Sequence, residues 1–174
     1  MYKYRISKYN PENRDEQGIY ITDEWTSYSD IGKKIGGKVL SKQEYLEVES
    51  KCCNVILHIL KENNINEVVI EELEVNYSIE EIKEMLEKKE LELSAESEKI
   101  MILLNENKNV KVDELNEYIK LILRECFWCK FNFKNFIGEI EFGYDFYIYI
   151  LGICISDEII NKYEQKGIFI ERMM

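Results

Sequence analysis

The stretch FWCKFNFKNFIGEIEFGYDFYIYI, residues 127–150, decides the fold because its side chains alternate in character over three short segments. Residues 127–133, 139–142 and 146–150 each alternate apolar side chains with polar ones or with tyrosines, which is the period of a β-strand. Gly138 and Gly143 mark the corners between these segments. The stretch therefore predicts an antiparallel meander with one apolar face.

Helical periodicity flanks this meander. Ser41 and Glu44 have the spacing of a capping box, and the apolar residues that follow recur at helical spacing as far as Lys61. The other expected helix starts are Ser78, Asp113 and Ser156. Residues 90–111 leave two structures open, because the short apolar run Ile100–Leu104 fits either a strand or the middle of a helix.

Three more segments predict strands: residues 2–6, 68–73 and 168–170. Strands that follow helices in this irregular order are typical of the α+β class. We expect an antiparallel sheet packed by about three to four helices, in a single domain that covers residues 1–174. Residues 7–40 are polar and predict a long N-terminal loop with a short helical turn near residues 29–33. Loops of this length in compact domains usually have a function or lack order.

The charge balance restricts the partners. The net charge is −11, from 23 basic and 34 acidic residues, so the surface repels nucleic-acid phosphates and anionic lipids. We expect no direct nucleic-acid binding and favour a basic protein partner or a cation. The alternative is that net acidity only keeps the protein soluble.

Cysteine usage indicates a reducing compartment. The chain has five cysteines, whereas secreted disulfide scaffolds carry an even and denser set. The N-terminus has no apolar signal segment. The longest nearly uncharged stretch, residues 146–156, is too short to cross a bilayer. We therefore expect a cytoplasmic protein that does not bind a membrane.

No motif predicts a catalytic, cofactor-binding or metal-binding site. Cys126 and Cys129 form a lone CxxC inside a predicted strand, where residues three apart face opposite sides, so buried free thiols are favoured. His58 is the single histidine and lies in an apolar helix, which favours a structural role. The glycines at 32, 36 and 37 lack the order of a phosphate loop. We expect a protein that is not an enzyme and has no cofactor or metal.

The first candidate surface is the acidic, aromatic part of the N-terminal loop. Aromatic side chains ringed by charge are typical of interface anchors. The candidate partner-binding residues here are Asp23, Glu24, Trp25, Tyr28 and Asp30. The alternative is that Trp25 and Tyr28 pack the loop onto the core.

The second candidate surface is the corner between the last two strands of the meander. Tyr144 and Asp145 lie at this turn, and Tyr147 and Tyr149 follow on the polar face. Tyrosines along a strand form a binding face or lie beneath a helix.

The chain resembles a loosely defined group of small acidic bacterial immunity-type proteins associated with polymorphic toxins. The segments that carry the resemblance are residues 4–11, 23–32, 121–125 with 128–130, 142–145 and 163–171. The resemblance implies a cytoplasmic protein that neutralises a cognate toxin by stoichiometric binding.

Three functions follow as hypotheses. The first is a stoichiometric inhibitor of a toxin or other basic, nucleic-acid-acting enzyme, whose acidic side chains would occupy the place of phosphates. The second is a small-ligand domain or an enzyme that uses carboxylates and tyrosines. A deep pocket lined by Glu or Tyr favours this second hypothesis, whereas a flat acidic face does not. The third is RNA stacking on the tyrosine face, against which the neighbouring carboxylates argue.

Overall fold

The computed structural model describes residues 2–173 and has the α+β architecture expected from the sequence. Seven strands form one sheet in the order β5-β4-β6-β7-β8-β1-β9, and every neighbouring pair is antiparallel. The strands are β1 (Lys3–Ser7), β4 (Glu67–Glu74), β5 (Asn109–Lys111), β6 (Trp128–Phe133), β7 (Glu139–Phe142), β8 (Ile148–Leu151) and β9 (Phe169–Arg172). A separate hairpin pairs β2 (Lys34–Ile35) with β3 (Lys38–Val39).

The meander predicted from residues 127–150 is confirmed as β6, β7 and β8. Its register places Lys130 opposite Glu141, and Glu141 opposite Tyr149. Phe131, Ile140 and Ile150 belong to the buried face. The side chains between them are only partly buried. The alternation in the sequence thus reports which face of the sheet meets the core.

Residues 2–173 contain five α-helices, against the three to four expected. They are α1 (Lys42–Glu62), α2 (Ile79–Glu87), α3 (Ala95–Leu103), α4 (Leu115–Leu123) and α5 (Asp157–Glu164). The additional helix is α3, which takes up most of the run that fitted either a strand or a helix. Its outer residues Ile102 and Leu103 remain exposed. This mixed burial explains why periodicity gave no decision there.

Serine caps begin four of these helices. Ser41 forms a full capping box with Glu44, as expected from their spacing. Ser78 forms a second full capping box, with Glu81. The expected cap at Asp113 is wrong: Asp113 lies in a 3₁₀ turn, Val112–Glu114, and α4 begins after it without a side-chain cap. The chain enters α4 directly from this turn, so Glu114, the residue before α4, has helical dihedral angles rather than the extended conformation of an N-cap.

The N-terminal loop has more structure than its composition suggested. It holds the β2–β3 hairpin and two 3₁₀ turns, Pro11–Asn13 and Tyr28–Asp30. The second of these turns overlaps the start of the helical turn expected near residues 29–33. The helices and the sheet share one hydrophobic core that includes Tyr28 and Ile31 of this loop. In residues 2–173 no helix is long and apolar enough to cross a membrane.

Candidate partner-binding groove

An open groove of about 940 Å³ lies at one end of the sheet, where β6 begins, β7 ends and β8 begins. Its other walls come from the segment after β4, the end of α4 and the N-terminal loop. Several rim residues are exposed, and Tyr144 is 92% exposed. The lining residues are Thr26, Ser27, Glu74, Asn76, Tyr77, Ile122, Leu123, Glu125, Cys126, Phe127, Trp128, Glu141, Phe142, Gly143, Tyr144, Asp145, Phe146, Tyr147 and Tyr149.

The charge in the groove has one sign. Four carboxylates line it: Glu74, Glu125, Glu141 and Asp145. The lining contains no Lys, Arg or His of residues 2–173. None of these carboxylates forms an ion pair or accepts a side-chain hydrogen bond from residues 2–173. The nearest compensation on the sheet is Lys130, opposite Glu141, but its ammonium donates to Glu72 at 2.9 Å. The lining is therefore acidic, although Arg5 and Arg14 contact its Tyr147 and Lys3 lies over its Tyr149.

Glu125 is placed by the end of α4. The amide of Cys126 donates to the carbonyl of Leu121 at 2.9 Å, a bond that closes the helix and requires a left-handed residue between them. Glu125 is that left-handed residue and has φ 56°. Glycine is usual here, and the negative end of the helix dipole disfavours an anion. Glu125 thus occupies its position against two local preferences.

The turn between β7 and β8 positions Asp145. Tyr147 donates its amide to the carbonyl of Tyr144 at 3.1 Å, and the two central residues, Asp145 and Phe146, have φ 58° and 63°. A turn with both central residues left-handed favours Asn-Gly, so this sequence carries strain. Burial of the Phe146 ring, 5.1 Å from that of Trp25, offsets the strain. Asp145 and Tyr144 are thereby held at the rim.

The Glu125 carboxyl is destabilised in its ionised form. Desolvation raises its pKa, and the nearby charges of Asp30 and Asp145 raise it further. Glu125 keeps contact with solvent, which screens part of this repulsion. A cation in the groove would remove the repulsion altogether.

Tyr28 places its hydroxyl beside the same wall. Burial raises the pKa of this phenol to about 12, with further contributions from Glu125, Cys126 and Tyr77, which all line the groove. Tyr28 is 3% exposed.

The acidic loop residues predicted to bind a partner are mostly engaged within the chain. The Asp23 carboxylate accepts from the Gly36 amide at 2.9 Å. Asp30 caps its own turn and accepts from Lys33 at 2.9 Å. These two carboxylates fix the loop and the β2–β3 hairpin.

Glu24 and Trp25 enclose the chain's own lysine. The ammonium of Lys8 lies 3.1 Å from a Glu24 carboxylate oxygen and 4.3 Å from the centre of the Trp25 ring. Trp25 also packs against Tyr45 and Phe146. The alternative interpretation of the loop, in which Trp25 and Tyr28 pack it onto the core, describes both side chains.

The structure thus places Tyr144 and Asp145 in the lining of one groove. The other predicted residues lie outside that lining: Asp23, Glu24, Trp25, Tyr28 and Asp30. Sequence reasoning missed Glu74, Glu125, Glu141 and Trp128. Trp128 and Glu141 had a signal, since both alternate with buried residues of the meander. No sequence signal pointed to Glu125, because a charged residue directly after a helix is common.

The cysteines lie mostly in the core. Cys126 and Cys129 are buried free thiols, as favoured from the sequence, and burial raises the pKa of Cys126 to about 12. A thiol with a raised pKa is a poor nucleophile and a poor metal ligand. Within residues 2–173 no group of three or more His, Cys, Asp or Glu side chains is placed to hold a metal ion.

A second cavity, of about 300 Å³, lies between the end of α1 and β5. Lys61 and Asp113 in its lining form an ion pair at 3.4 Å, so its charges are balanced. Its lining has no aromatic residue and holds two acidic and two basic side chains.

Comparisons with protein-family models, curated proteins and solved structures gave no match to this chain.

Proposed function

We propose that this chain is a stoichiometric protein-binding inhibitor of the immunity type, which neutralises a basic toxin or another nucleic-acid-acting enzyme through the groove. The observation that carries the proposal is the lining of the groove: four carboxylates without an internal partner, set among Trp128 and four tyrosines. Such a lining favours the basic surface of an enzyme that handles phosphates.

The open rim supports a protein segment as the occupant. Glu74, Tyr77, Glu125, Tyr144 and Asp145 are all exposed around the groove. A small ligand is normally enclosed over most of its surface, whereas an interface has a polar rim around an aromatic centre. Inhibition would follow because carboxylates in the partner's cationic site exclude its phosphate-bearing substrate.

The experiment is capture of the partner from the native host with three versions of the chain. These are the wild type, the groove variant Glu125→Gln/Asp145→Asn and the control Glu80→Gln/Glu84→Gln. The control removes the same charge from exposed positions on α2, outside the groove. We expect one basic protein to bind the wild type and the control at a one-to-one ratio and to be lost with the groove variant.

The captured protein is then assayed for nuclease or toxin activity against increasing wild-type chain. Activity that falls to zero at equivalence supports inhibition. A partner that binds the groove variant as tightly as the wild type, or that keeps its activity when saturated, contradicts the proposal.

The second candidate is a small-ligand domain or a carboxylate- and tyrosine-based enzyme. The observation that favours it is the groove itself, since about 940 Å³ lies within the range of ligand pockets and Glu and Tyr line it. The raised pKa of Glu125 is also typical of acid–base sites. A thermal-shift screen of small organic cations tests it: saturable stabilisation by one compound, abolished in the groove variant, would place this candidate first.

A further inference from the structure

The chain binds two of its own cations by combining aromatic rings with a carboxylate. The Lys8 ammonium lies 4.0 Å from the centre of the Tyr9 ring and 4.3 Å from that of Trp25, with Glu24 as its counter-ion. The Arg5 guanidinium lies 5.3 Å from the centre of the Tyr147 ring and donates two hydrogen bonds to Glu171, at 3.1 and 2.8 Å. Each set holds a cation on a π-face with an anion at its edge.

Part of the groove offers the same two kinds of group without a cation. Lys3 lies over Tyr149, and Arg5 and Arg14 lie over Tyr147, but no Lys or Arg of residues 2–173 lies over the Trp128 or Tyr77 ring. Glu125 and Asp145 line the same groove and form no ion pair within residues 2–173.

We propose that the groove binds an arginine side chain of the protein partner, with its guanidinium paired to Glu125 and Asp145 and stacked on an aromatic ring of the lining. This inference rests on the proposed function, because the partner supplies the arginine. Arginine is favoured over lysine because its planar group stacks on rings and pairs with two carboxylates at once.

A metal ion does not fit the same observations. The carboxylates of the described residues are not grouped in threes at ligand spacing. Hard cations such as Ca²⁺ need six to eight oxygen ligands and gain nothing from indole or phenol rings. The aromatic lining therefore selects an organic cation.

The test uses the two tryptophans as internal reporters. A blocked pentapeptide with one central arginine is titrated into ¹⁵N-labelled full-length protein, and the indole N–H signals are followed by NMR. Trp128 lines the groove and donates its indole N–H to the Phe142 carbonyl, whereas Trp25 contacts Lys8 outside the lining. We expect a saturable shift of Trp128 with little change at Trp25.

Matched peptides and variants separate the contributions. A citrulline peptide keeps the shape of arginine but not its charge, and we expect it to bind at least about tenfold more weakly, as should the lysine peptide. The variant Glu125→Gln/Asp145→Asn should lose the Trp128 shift, and the control Glu80→Gln/Glu84→Gln should keep it. Equal shifts with arginine and citrulline, or no shift at millimolar arginine peptide, would overturn the inference.

The two proposals fail separately. Groove-dependent capture of a host protein without arginine-peptide binding would overturn the arginine inference and leave the inhibitor proposal standing. Arginine-peptide binding at Trp128 together with no captured protein would support the chemistry of the groove and contradict the inhibitor proposal.

Discussion

At the scale of single residues, the helix ends offer a matched comparison. α1, α2, α4 and α5 close with the same hydrogen bond from an amide to the carbonyl five residues earlier. The left-handed residues within these four ends are Asn64, Glu90, Glu125 and Gly167. Glu90 shows that this chain accepts glutamate in this conformation away from the groove. The left-handed conformation of Glu125 is therefore not evidence of function by itself, and a proposed role of its carboxylate has to be tested against Glu90.

Replacing each glutamate with glycine separates stability from binding. Glu125→Gly and Glu90→Gly should each raise the free energy of unfolding by about 1 kcal/mol, because glycine adopts the left-handed conformation without strain. Only Glu125→Gly should weaken binding of the arginine peptide. Urea unfolding and NMR titration measure the two effects. Loss of binding in both variants, or in neither, would contradict a specific role for the Glu125 carboxylate.

The pH dependence of stability tests the charge repulsion at Glu125. Its pKa is raised in the folded state, so the folded protein binds the proton more tightly than the unfolded chain does. Stability from this group is therefore full below its ordinary value of about 4.3 and is lost as the pH rises through the folded-state pKa. Relative to Glu125→Gln, the wild type should be equally stable in acid and less stable at pH 7. A difference that does not change with pH would contradict the raised pKa of Glu125, which burial raises most and the charges of Asp30 and Asp145 raise further.

At the scale of elements, the N-terminal loop is held to the core by a few side chains. The Lys8–Glu24 pair, the Trp25 ring and the Lys89 ammonium, which donates to the Ile31 carbonyl at 2.9 Å, fasten it at three points. Thr26 and Ser27 between these points form one wall of the groove. The loop therefore supports the groove rather than presenting most of its own acids to a partner.

Removing the Trp25 ring should loosen this loop. We expect Trp25→Ala to lower the free energy of unfolding by about 2–3 kcal/mol, through lost contacts with Tyr45 and Phe146. Limited proteolysis should then cut first within residues 8–41. Phe136→Ala is the control, since that ring is 49% exposed and should change stability by less than about 0.5 kcal/mol. Unchanged proteolysis of Trp25→Ala would show that the loop is held without the ring.

At the scale of the whole molecule, the net charge and the groove make different contributions to binding. A charge of −11 attracts basic partners over long distances and raises the association rate at low salt. For the proposed partner, we expect contacts in the groove to determine the dissociation rate. Many acids elsewhere are neutralised locally, as Glu49 is by Arg124 at 2.6 Å, whereas the four carboxylates of the groove form no ion pair within residues 2–173.

Salt and matched variants separate these contributions. With the captured partner, the wild type should associate several-fold more slowly at 0.5 M than at 0.05 M salt. Glu80→Gln/Glu84→Gln should affect mainly association, whereas Glu125→Gln/Asp145→Asn should also raise the dissociation rate at least about tenfold. Surface plasmon resonance measures both rates. Identical kinetics for the two variants would mean that only net charge matters.

The sequence by itself determined the strands of the meander, the α+β class and the starts of α1, α2 and α5. These features depend on periodicity and on hydrogen bonds between neighbours, such as Ser41 with Glu44. It also indicated correctly that Trp25 and Tyr28 had a core-packing alternative.

Only the tertiary structure decided where the unpaired negative charge lies. Glu74, Glu125, Glu141 and Asp145 are separated along the chain and meet because β4, α4 and β7 end, and the β7–β8 turn lies, at the same end of the sheet. Likewise, Glu24 and Trp25 contact Lys8, which lies 16 and 17 residues earlier in the chain, and are therefore not available to a partner. Local patterns carry no information on which charges share a surface, because that depends on how the elements pack.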